Sequence, residues 1–520
     1  MASHKEGSSF FVANSSTRHD APVDAQFNML ESVGQGRDSS FDATQNRFVA
    51  GNKFFNYQQF GALRDGGGVQ LFSREYCGLL FATAGSSFTY SILRYCMRPT
   101  LMNFLGRYIS ESSAVTECLL SIPTCICLFM GLMSDIYPIA GYRRKSYMVV
   151  GALLTVSMLL GLMALSLSAA NLADDSGAQS NYIWLGSWVT VLLVSYDKGK
   201  SQYHLEYLEP YQVYLIMAVL NLVPVPFIVR NCAETSVRQA EAEALSMMVA
   251  EGVILPQQPR VAVSAMDRVR AFVRMCQQRA VWQIVLFLTI VLAATRFYFS
   301  NADRALRRFA TLDAERSLRS AALKSVAVIA VMVWWKLSWS NSSWRRCMFL
   351  GVLWLVVLET ARAMLLVHVP AVRTQTFYDL LGCLMGVTDG LVNIFSFIPA
   401  TEIAENGAEG ATIALFLSFR SILAVAMRTS SEKIFTTAVS TSETGKLTML
   451  LLITYGVHAI AFLGVLLLPR QKLDAQQLRV YGGYSSMACG VLFLIYLLSF
   501  TYAMTQNLTA MVAMANGDGA

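Results

Sequence analysis

The segment 131–147 brings acidic, basic and turn-forming residues together between two apolar runs. The residues that could do chemistry or shape the backbone there are Gly131, Asp135, Pro138, Gly141, Arg143, Arg144 and Lys145. Proline and glycine favour a tight reversal, the carboxylate could face the positive end of another helix, and the arginines could bind a neighbouring carboxylate. Each such contact contributes about 0.3–1 kcal/mol when exposed. The segment therefore predicts a conformational latch, although its basic residues alone fit a plain helix-orienting role.

Two isolated charges lie deep in apolar runs and are the best candidates for an intramembrane site. Asp389 lies within 380–393 and Arg420 within 415–422. A charge in a spanning helix costs about 2.5–3.5 kcal/mol on insertion scales, so it faces a wet cavity, pairs or reaches the interface. Arg420 could pair with Asp389 across helices or bind an anionic group of a substrate, and both readings stay open.

Other ionisable residues in apolar runs have plainer interpretations. Glu359 and Arg362 share one helix face, which predicts an internal ion pair or a joint role in a cavity. Three arginines are expected to reach the interface from helix ends: Arg94, Arg98 and Arg296. The two histidines His368 and His458 are interpreted as interfacial or packed.

The elements that must position these charges are membrane helices. The chain has 520 residues, 54% hydrophobic and 14% charged, with a mean hydropathy of +0.45, which excludes a soluble multidomain protein. Twelve apolar runs predict helices near 76–96, 114–133, 147–168, 180–195, 211–229, 281–300, 323–340, 347–368, 376–399, 410–427, 447–468 and 486–505. The run at 180–195 is short, and the run at 323–340 is interrupted by Lys336. The fold class is therefore an all-α polytopic membrane protein.

Composition divides the chain into five parts. Residues 1–70 are polar and predict a disordered cytoplasmic tail. Residues 71–229 form an N-terminal helical bundle, 230–280 a cytoplasmic linker with an amphipathic stretch, and 281–470 a C-terminal bundle. Residues 471–520 add a loop, an extra helix and a tail. The net charge of +7 is spread through short loops, as in membrane proteins, and no nucleic-acid partner is expected.

Helix orientation follows from the basic loops, which remain on the cytoplasmic side during insertion. This rule requires an odd number of spans between Ala169 and Arg230, but two apolar runs are found there. Either 180–195 does not cross the membrane or one helix of the N-terminal half is absent. In the C-terminal half the count is consistent, and it predicts that the sequon at Asn507 is exposed for glycosylation.

Two segments resemble a known family. Segment 131–147 is similar to the loop motif of the major facilitator superfamily in the form G-x-x-S-D-x-x-P-I-x-G-Y-R-R-K of the folate-biopterin transporter family. Segment 397–415 resembles that family's P-x-x-E-x-x-x-x-G-x-E-x-x-T pattern, with Glu402, Gly407 and Glu409 on matching positions. The resemblance implies a two-bundle carrier of about twelve helices for pterin-like compounds. Between Ala169 and Tyr211 the chain lacks the acidic motif and Arg-Glu-Pro-like loop expected of the family.

The resemblance implies a secondary active transporter of folate, biopterin or a related pterin, working by alternating access and with protons as a candidate coupling ion. Such a substrate needs a cation for carboxylates, an aromatic surface and an acid. The candidate residues of the substrate or proton pathway are Asp389, Arg420, Glu402, Glu409, Tyr378 and Phe395. The alternative is a non-transporting membrane paralogue or ligand sensor of the same fold.

Neither enzymatic activity nor a bound metal or cofactor is expected. The chain lacks a phosphate-binding G-x-x-x-x-G-K-[ST] loop and an H-E-x-x-H motif. The expected partners are a small-molecule solute and the lipid bilayer. The predicted location is a membrane that the chain crosses several times, by default the plasma membrane, with an organellar membrane as the alternative.

Overall fold

The computed structural model is dominated by long apolar helices. It describes residues 39–42, 47–50, 73–74, 76–93, 118, 121–171, 210–232, 234, 236, 239, 265–309, 314–339, 342–404, 408–436 and 444–516. In lipid every peptide N–H and C=O must be satisfied within the protein, so apolar runs of this length fold as helices. Within the described residues, eight helices are long and apolar enough to cross a membrane, or nine if one bent pair is a single span.

Among its described residues, the first part of the chain contains a short hairpin and five helices. Strands β1 (Ser39–Asp42) and β2 (Arg47–Ala50) pair antiparallel within the segment that the sequence predicts to be disordered. The helices are α1 (Cys77–Ile92), α2 (Cys127–Ile136), α3 (Lys145–Asn171), α4 (Pro210–Leu222) and α5 (Pro224–Asn231). Helices α4 and α5 form one span that is interrupted next to Pro224. The predicted helix at 180–195 lies outside the described residues.

The second part begins with α6 (Ala265–Gln277), which coincides with the amphipathic stretch predicted in the linker. The helices that follow are α7 (Arg279–Thr295), α8 (Ser300–Phe309), α9 (Ala314–Trp334), α10 (Trp344–His368), α11 (Gln375–Ile403), α12 (Glu409–Lys433), α13 (Thr444–Ala459), α14 (Ala461–Val465), α15 (Lys472–Tyr481) and α16 (Ser486–Asn516). Each predicted helix of this half coincides with a described helix. The interruption expected at Lys336 is a π-helical turn, Trp335–Trp339, that ends α9.

Two of these spans are broken. Helices α7 and α8 meet at a bend of 54° around residues 296–299, where the sequence predicts one continuous helix. The backbone N–H of Tyr298 donates to Ser431 Oγ, and that of Ser300 to the carbonyl oxygen of Phe435. Helices α13 and α14 form one span that is interrupted at Ile460. At the α7–α8 break some backbone N–H groups have no partner within a helix. Polar groups from other parts of the chain accept their hydrogen bonds instead.

Helix α2 lies apart from the core of the other N-terminal helices. That core contains Tyr214 and Met217 of α4 packed on Leu159 and Leu162 of α3. Leu128 of α2 belongs instead to the large core that includes residues of α7, α11, α12 and α16. Helix α2 is therefore the described element of the N-terminal half that reaches into the C-terminal half.

Candidate functional site

Asp135 lies at the end of α2 and is 3% exposed. Its Oδ2 accepts a hydrogen bond of 2.7 Å from the backbone N–H of Ala411, in the first turn of α12. First-turn N–H groups have no partner within their own helix, and their dipoles favour negative charge. Ala408, which precedes α12, supplies no capping side chain. The carboxylate of one half thus caps a helix of the other half.

Two glycines allow α2 and α12 to approach this closely. A Cβ at Gly131 would lie 2.5 Å from Ala414 Cβ and 2.7 Å from the carbonyl oxygen of Gly410. A Cβ at Gly410 would lie 2.8 Å from Asp135 Oδ1. All three distances are below any normal contact with a carbon atom. The spacing of glycine and aspartate in 131–147 is therefore explained by a backbone-to-backbone crossing.

The basic residues after Asp135 bind two acidic residues. Arg144 Nη2 lies 3.1 Å from Glu409 Oε2, and both side chains are partly exposed, so this ion pair is weak on its own. The carboxylate of Glu234 accepts from the backbone N–H groups of Arg143, Arg144 and Lys145, at distances down to 2.7 Å. Glu234 therefore caps α3 and ties the start of the linker to this loop.

The loop itself reverses within a few residues. Gly141 has a φ of +81° and Ala140 a φ of +54°, the left-handed region that glycine adopts at no steric cost. Tyr147 Oη donates to the carbonyl oxygen of Tyr137 at 2.8 Å, which closes the reversal beside Pro138. We call the contacts of Asp135, Arg144 and Glu234 with their partners the loop latch. Its role in transport stays a prediction.

Asp389 lies near the middle of α11 and binds two cations. Its Oδ1 is 3.2 Å from Arg296 Nη2, and its Oδ2 is 2.6 Å from Lys324 Nζ. Arg296, which the sequence suggests as an arginine that reaches the interface, lies at the α7–α8 break and binds Asp389. Lys324, from α9, was not a candidate in the sequence. The charged side chains meet across three helices, which sequence separation does not reveal.

Arg420 completes this group without touching Asp389 directly. Its Nη2 donates to Asn393 Oδ1, and its guanidinium lies 5.9 Å from the centre of the Phe397 ring. Arg420 is near enough to interact electrostatically with Asp389 and Arg296. We call Arg296, Lys324, Asp389 and Arg420 the central cluster. It holds three cations and one carboxylate.

The remaining pathway candidates lie elsewhere. The ring of Phe395 has no exposed surface and packs between Trp335 and Trp344, so it offers no stacking face. Tyr378 lies beneath the Arg362 guanidinium, 4.6 Å from its carbon. Neither aromatic residue adjoins the central cluster, where Phe397 takes the position expected of them.

Glu402 and Glu409 lie at the loop-latch end of the molecule rather than in the central cluster. Glu402 Oε1 is 3.1 Å from Lys472 Nζ, and both side chains are less than 10% exposed. This buried ion pair joins the end of α11 to α15. Glu409 binds Arg144, as described above.

Glu359 and Arg362 do not form the ion pair predicted from their spacing. Glu359 Oε2 instead lies 2.6 Å from His458 Nδ1, a contact between α10 and α13. His458 is buried, as expected, but it is also engaged in this charged contact. A spacing of three residues shows that Glu359 and Arg362 lie on the same face of a helix. It does not show which residues of the neighbouring helices contact that face.

The prediction that Asn507 is exposed for glycosylation is wrong for the folded chain. Asn507 is 2% exposed within α16, and its Nδ2 donates to Thr429 Oγ1 at 2.8 Å and to the carbonyl oxygen of Ala503. Helix α16 continues through the sequon because it packs against α12. The sequon is therefore part of a helix interface.

The fold and composition define the class: the chain is a multi-pass, all-α membrane protein. The sequence model of the BT1 family, the folate-biopterin transporters, matches residues 88–175. This match covers α2, the segment from Gly131 to Lys145 and α3, and it confirms the family resemblance over these residues. Asp135 and Arg144 of the loop latch lie within it, whereas Glu234 does not. A search of the curated proteins finds no match.

Proposed function

We propose that the protein is a secondary transporter that moves a small organic anion of the folate or pterin type across its membrane by alternating access. The observation that carries the proposal is the capping of α12 by Asp135 of α2, because it is a charge-assisted contact between the two halves that can open without a change of fold. The BT1 match supports the assignment to transporters, since it spans this same loop.

The loop latch would hold one end of the molecule closed. A charge-assisted hydrogen bond contributes about 1.5–3 kcal/mol, and the Arg144–Glu409 pair adds little because it is exposed. A difference of this size changes the ratio of two conformers by about tenfold or more, which suits a contact that must break in each cycle. When α2 leaves α12, water can hydrate the carboxylate and the freed N–H groups.

The central cluster would bind the substrate. Asp389 balances one of its three cations, and an unbalanced charge within a bilayer is costly. A substrate with carboxylate groups would offset the excess positive charge through Lys324, Arg296 or Arg420. Phe397, which adjoins Arg420, offers a ring on which a pterin could stack.

The first test is uptake of labelled folate and biopterin by transport-deficient cells that express the chain, at acidic and neutral external pH. Asp135→Asn keeps the shape of the side chain and removes its charge, so we expect uptake to fall about tenfold at matched surface expression. Asp267→Asn is the control, because Asp267 is an exposed aspartate that binds Arg270 on the surface of α6. Equal uptake by the two variants would contradict a role of Asp135 in the cycle.

A non-transporting ligand sensor is the second candidate function. The observation that favours it is the departure from the family between Ala169 and Tyr211, most of which lies beyond the BT1 match to residues 88–175. A sensor would bind folate or biopterin when purified and show no flux in proteoliposomes. Saturable uptake by the reconstituted chain would exclude this candidate.

A further inference from the structure

A second buried pair of ionisable groups lies outside the central cluster. Glu359 of α10 and His458 of α13 meet beside the α7–α8 break, with 2.6 Å between Oε2 and Nδ1. Their side chains are 16% and 5% exposed. Neither the loop latch nor the central cluster uses these residues, and buried charge at this depth requires an explanation.

The hydrogen positions follow from the partners. His458 Nε2 lies 2.8 Å from the carbonyl oxygen of Phe297, which only accepts hydrogen bonds, so Nε2 carries a hydrogen. In a neutral ring, Nδ1 then has a lone pair that points at a carboxylate oxygen. Two lone pairs at 2.6 Å repel each other unless a proton lies between them. A contact this short between the two groups therefore requires one shared proton to be stable.

Loss of that proton would change the packing. A neutral imidazole facing an ionised carboxylate has no attraction to offset the buried charge, so the two side chains would part. Proton occupancy is thus linked to the contact between α10 and α13. Arg296 interacts electrostatically with His458, and Tyr455 with Glu359. Tyr455 in turn interacts with Asp303, Arg362 and Tyr378.

The same break carries the central cluster. Phe297, whose carbonyl oxygen receives the His458 hydrogen bond, directly follows Arg296, whose guanidinium binds Asp389. A shift of the backbone at residues 296–297 would therefore change both the contact with His458 and the contact with Asp389. Asp389 itself is a poor proton carrier, because protonation would leave Arg296 and Lys324 without their anion.

We propose that Glu359 and His458 form a proton-binding site, coupled through residues 296–299 to an anion held at the central cluster. The coupling part rests on the proposed transport function. Proton binding itself does not, because it is a property of the folded chain without substrate. The ligand of this site is a proton delivered from water, and no other group is transferred.

The experiment uses infrared difference spectra of the full chain in lipid nanodiscs, recorded without substrate between about pH 5 and pH 9. Glu359→Gln keeps the size of the side chain but cannot gain or lose a proton in this pH range, and His458→Gln removes the ring. We expect the pH-dependent carboxyl and imidazole bands of the wild type to disappear in both variants. His368→Gln is the control, since His368 is exposed and contacts Thr448.

Survival of the wild-type bands in Glu359→Gln, or their absence from the wild type, would overturn the proposal. Size-exclusion elution of each variant checks that the fold is intact, and His458→Gln provides a second route if Glu359→Gln fails to fold. Proton-driven uptake in proteoliposomes then tests the coupling: Glu359→Gln should lose the response to a pH gradient and keep substrate exchange. If the wild type shows the bands but no uptake, the proton site stands and the proposed transport function fails.

Discussion

Asp135 binds α12 with only one of its two carboxylate oxygens. Oδ2 accepts from Ala411, whereas Oδ1 is buried and has no hydrogen-bond partner among the described residues. A buried polar atom without a partner costs about 1–3 kcal/mol, which offsets much of what the bound oxygen contributes. The contact can therefore hold α2 against α12 and still be opened at modest cost.

Gly131→Ala tests the close crossing at this contact. The added methyl group would meet both Ala414 and the backbone of Gly410, so α2 and α12 must move apart. We expect a loss of about 1–3 kcal/mol in stability, as for overpacked cores, visible as a lower thermal unfolding temperature in detergent. Gly151→Ala in α3 is the matched control, because a Cβ there meets nothing within 4 Å, and an unchanged or higher unfolding temperature is expected. Equal unfolding temperatures of the two variants would show that α2 and α12 are not closely packed at Gly131.

The chemistry of single residues could be inferred from the sequence where the motif is local. The order Gly131, Asp135, Gly141 indicated a turn and a helix-capping carboxylate because those functions depend on nearby spacing. The partners of Asp389 and Glu359 could not be inferred in this way. The packing of the whole molecule decides which helices lie next to each other. The sequence of one helix carries no information about its neighbours.

At the scale of elements, the short helix α15 is anchored by a buried ion pair. Lys472→Met would leave Glu402 buried without its cation, for which we expect a loss of about 3–5 kcal/mol in stability. The double variant Lys472→Met with Glu402→Leu should recover most of that loss, because both charges of the pair are then removed. A double-mutant cycle from thermal or denaturant unfolding measures both. Similar losses in the single and double variants would show that the pair is not coupled.

Helix positions were predictable from apolar length alone, and their interruptions were not. The predicted run 281–300 is broken at residues 296–299, because Ser431, Phe435 and His458 bind backbone groups there. Those partners come from distant parts of the chain. The interruption at Lys336 was predictable because its cause, a charge among tryptophans, is local.

At the scale of the whole molecule, α16 joins α2 to the C-terminal half. Tyr496 Oη donates to the carbonyl oxygen of Cys125 at 2.9 Å, and its ring lies 5.1 Å from that of Phe419 on α12. Hydropathy identified α16 as an extra span after the two predicted bundles. It could not indicate that this span lies against both halves, since lipid-facing and helix-facing apolar residues look alike in a sequence.

The position of α16 predicts that Asn507 carries no glycan in spite of its sequon. The Asn507 amide is bound to Thr429 and Ala503 inside a helix interface, where a sugar has no room. Glycosidase treatment of the chain from eukaryotic cells should therefore leave its gel mobility unchanged, as in Asn507→Gln. A mobility shift that Asn507→Gln abolishes would contradict the placement of this helix.

The hydrogen bond between Tyr496 and Cys125 spans 371 residues of chain. At a synthesis rate of about 5–20 residues per second, α2 enters the membrane some 20–70 seconds before the helix that covers it exists. During that interval the face of α2 that later receives Tyr496 is available to insertion factors, chaperones and other membrane helices. A chain that stops before Ser486 would therefore have its earlier spans in the membrane but lack the contact of Tyr496 with Cys125 and with Phe419.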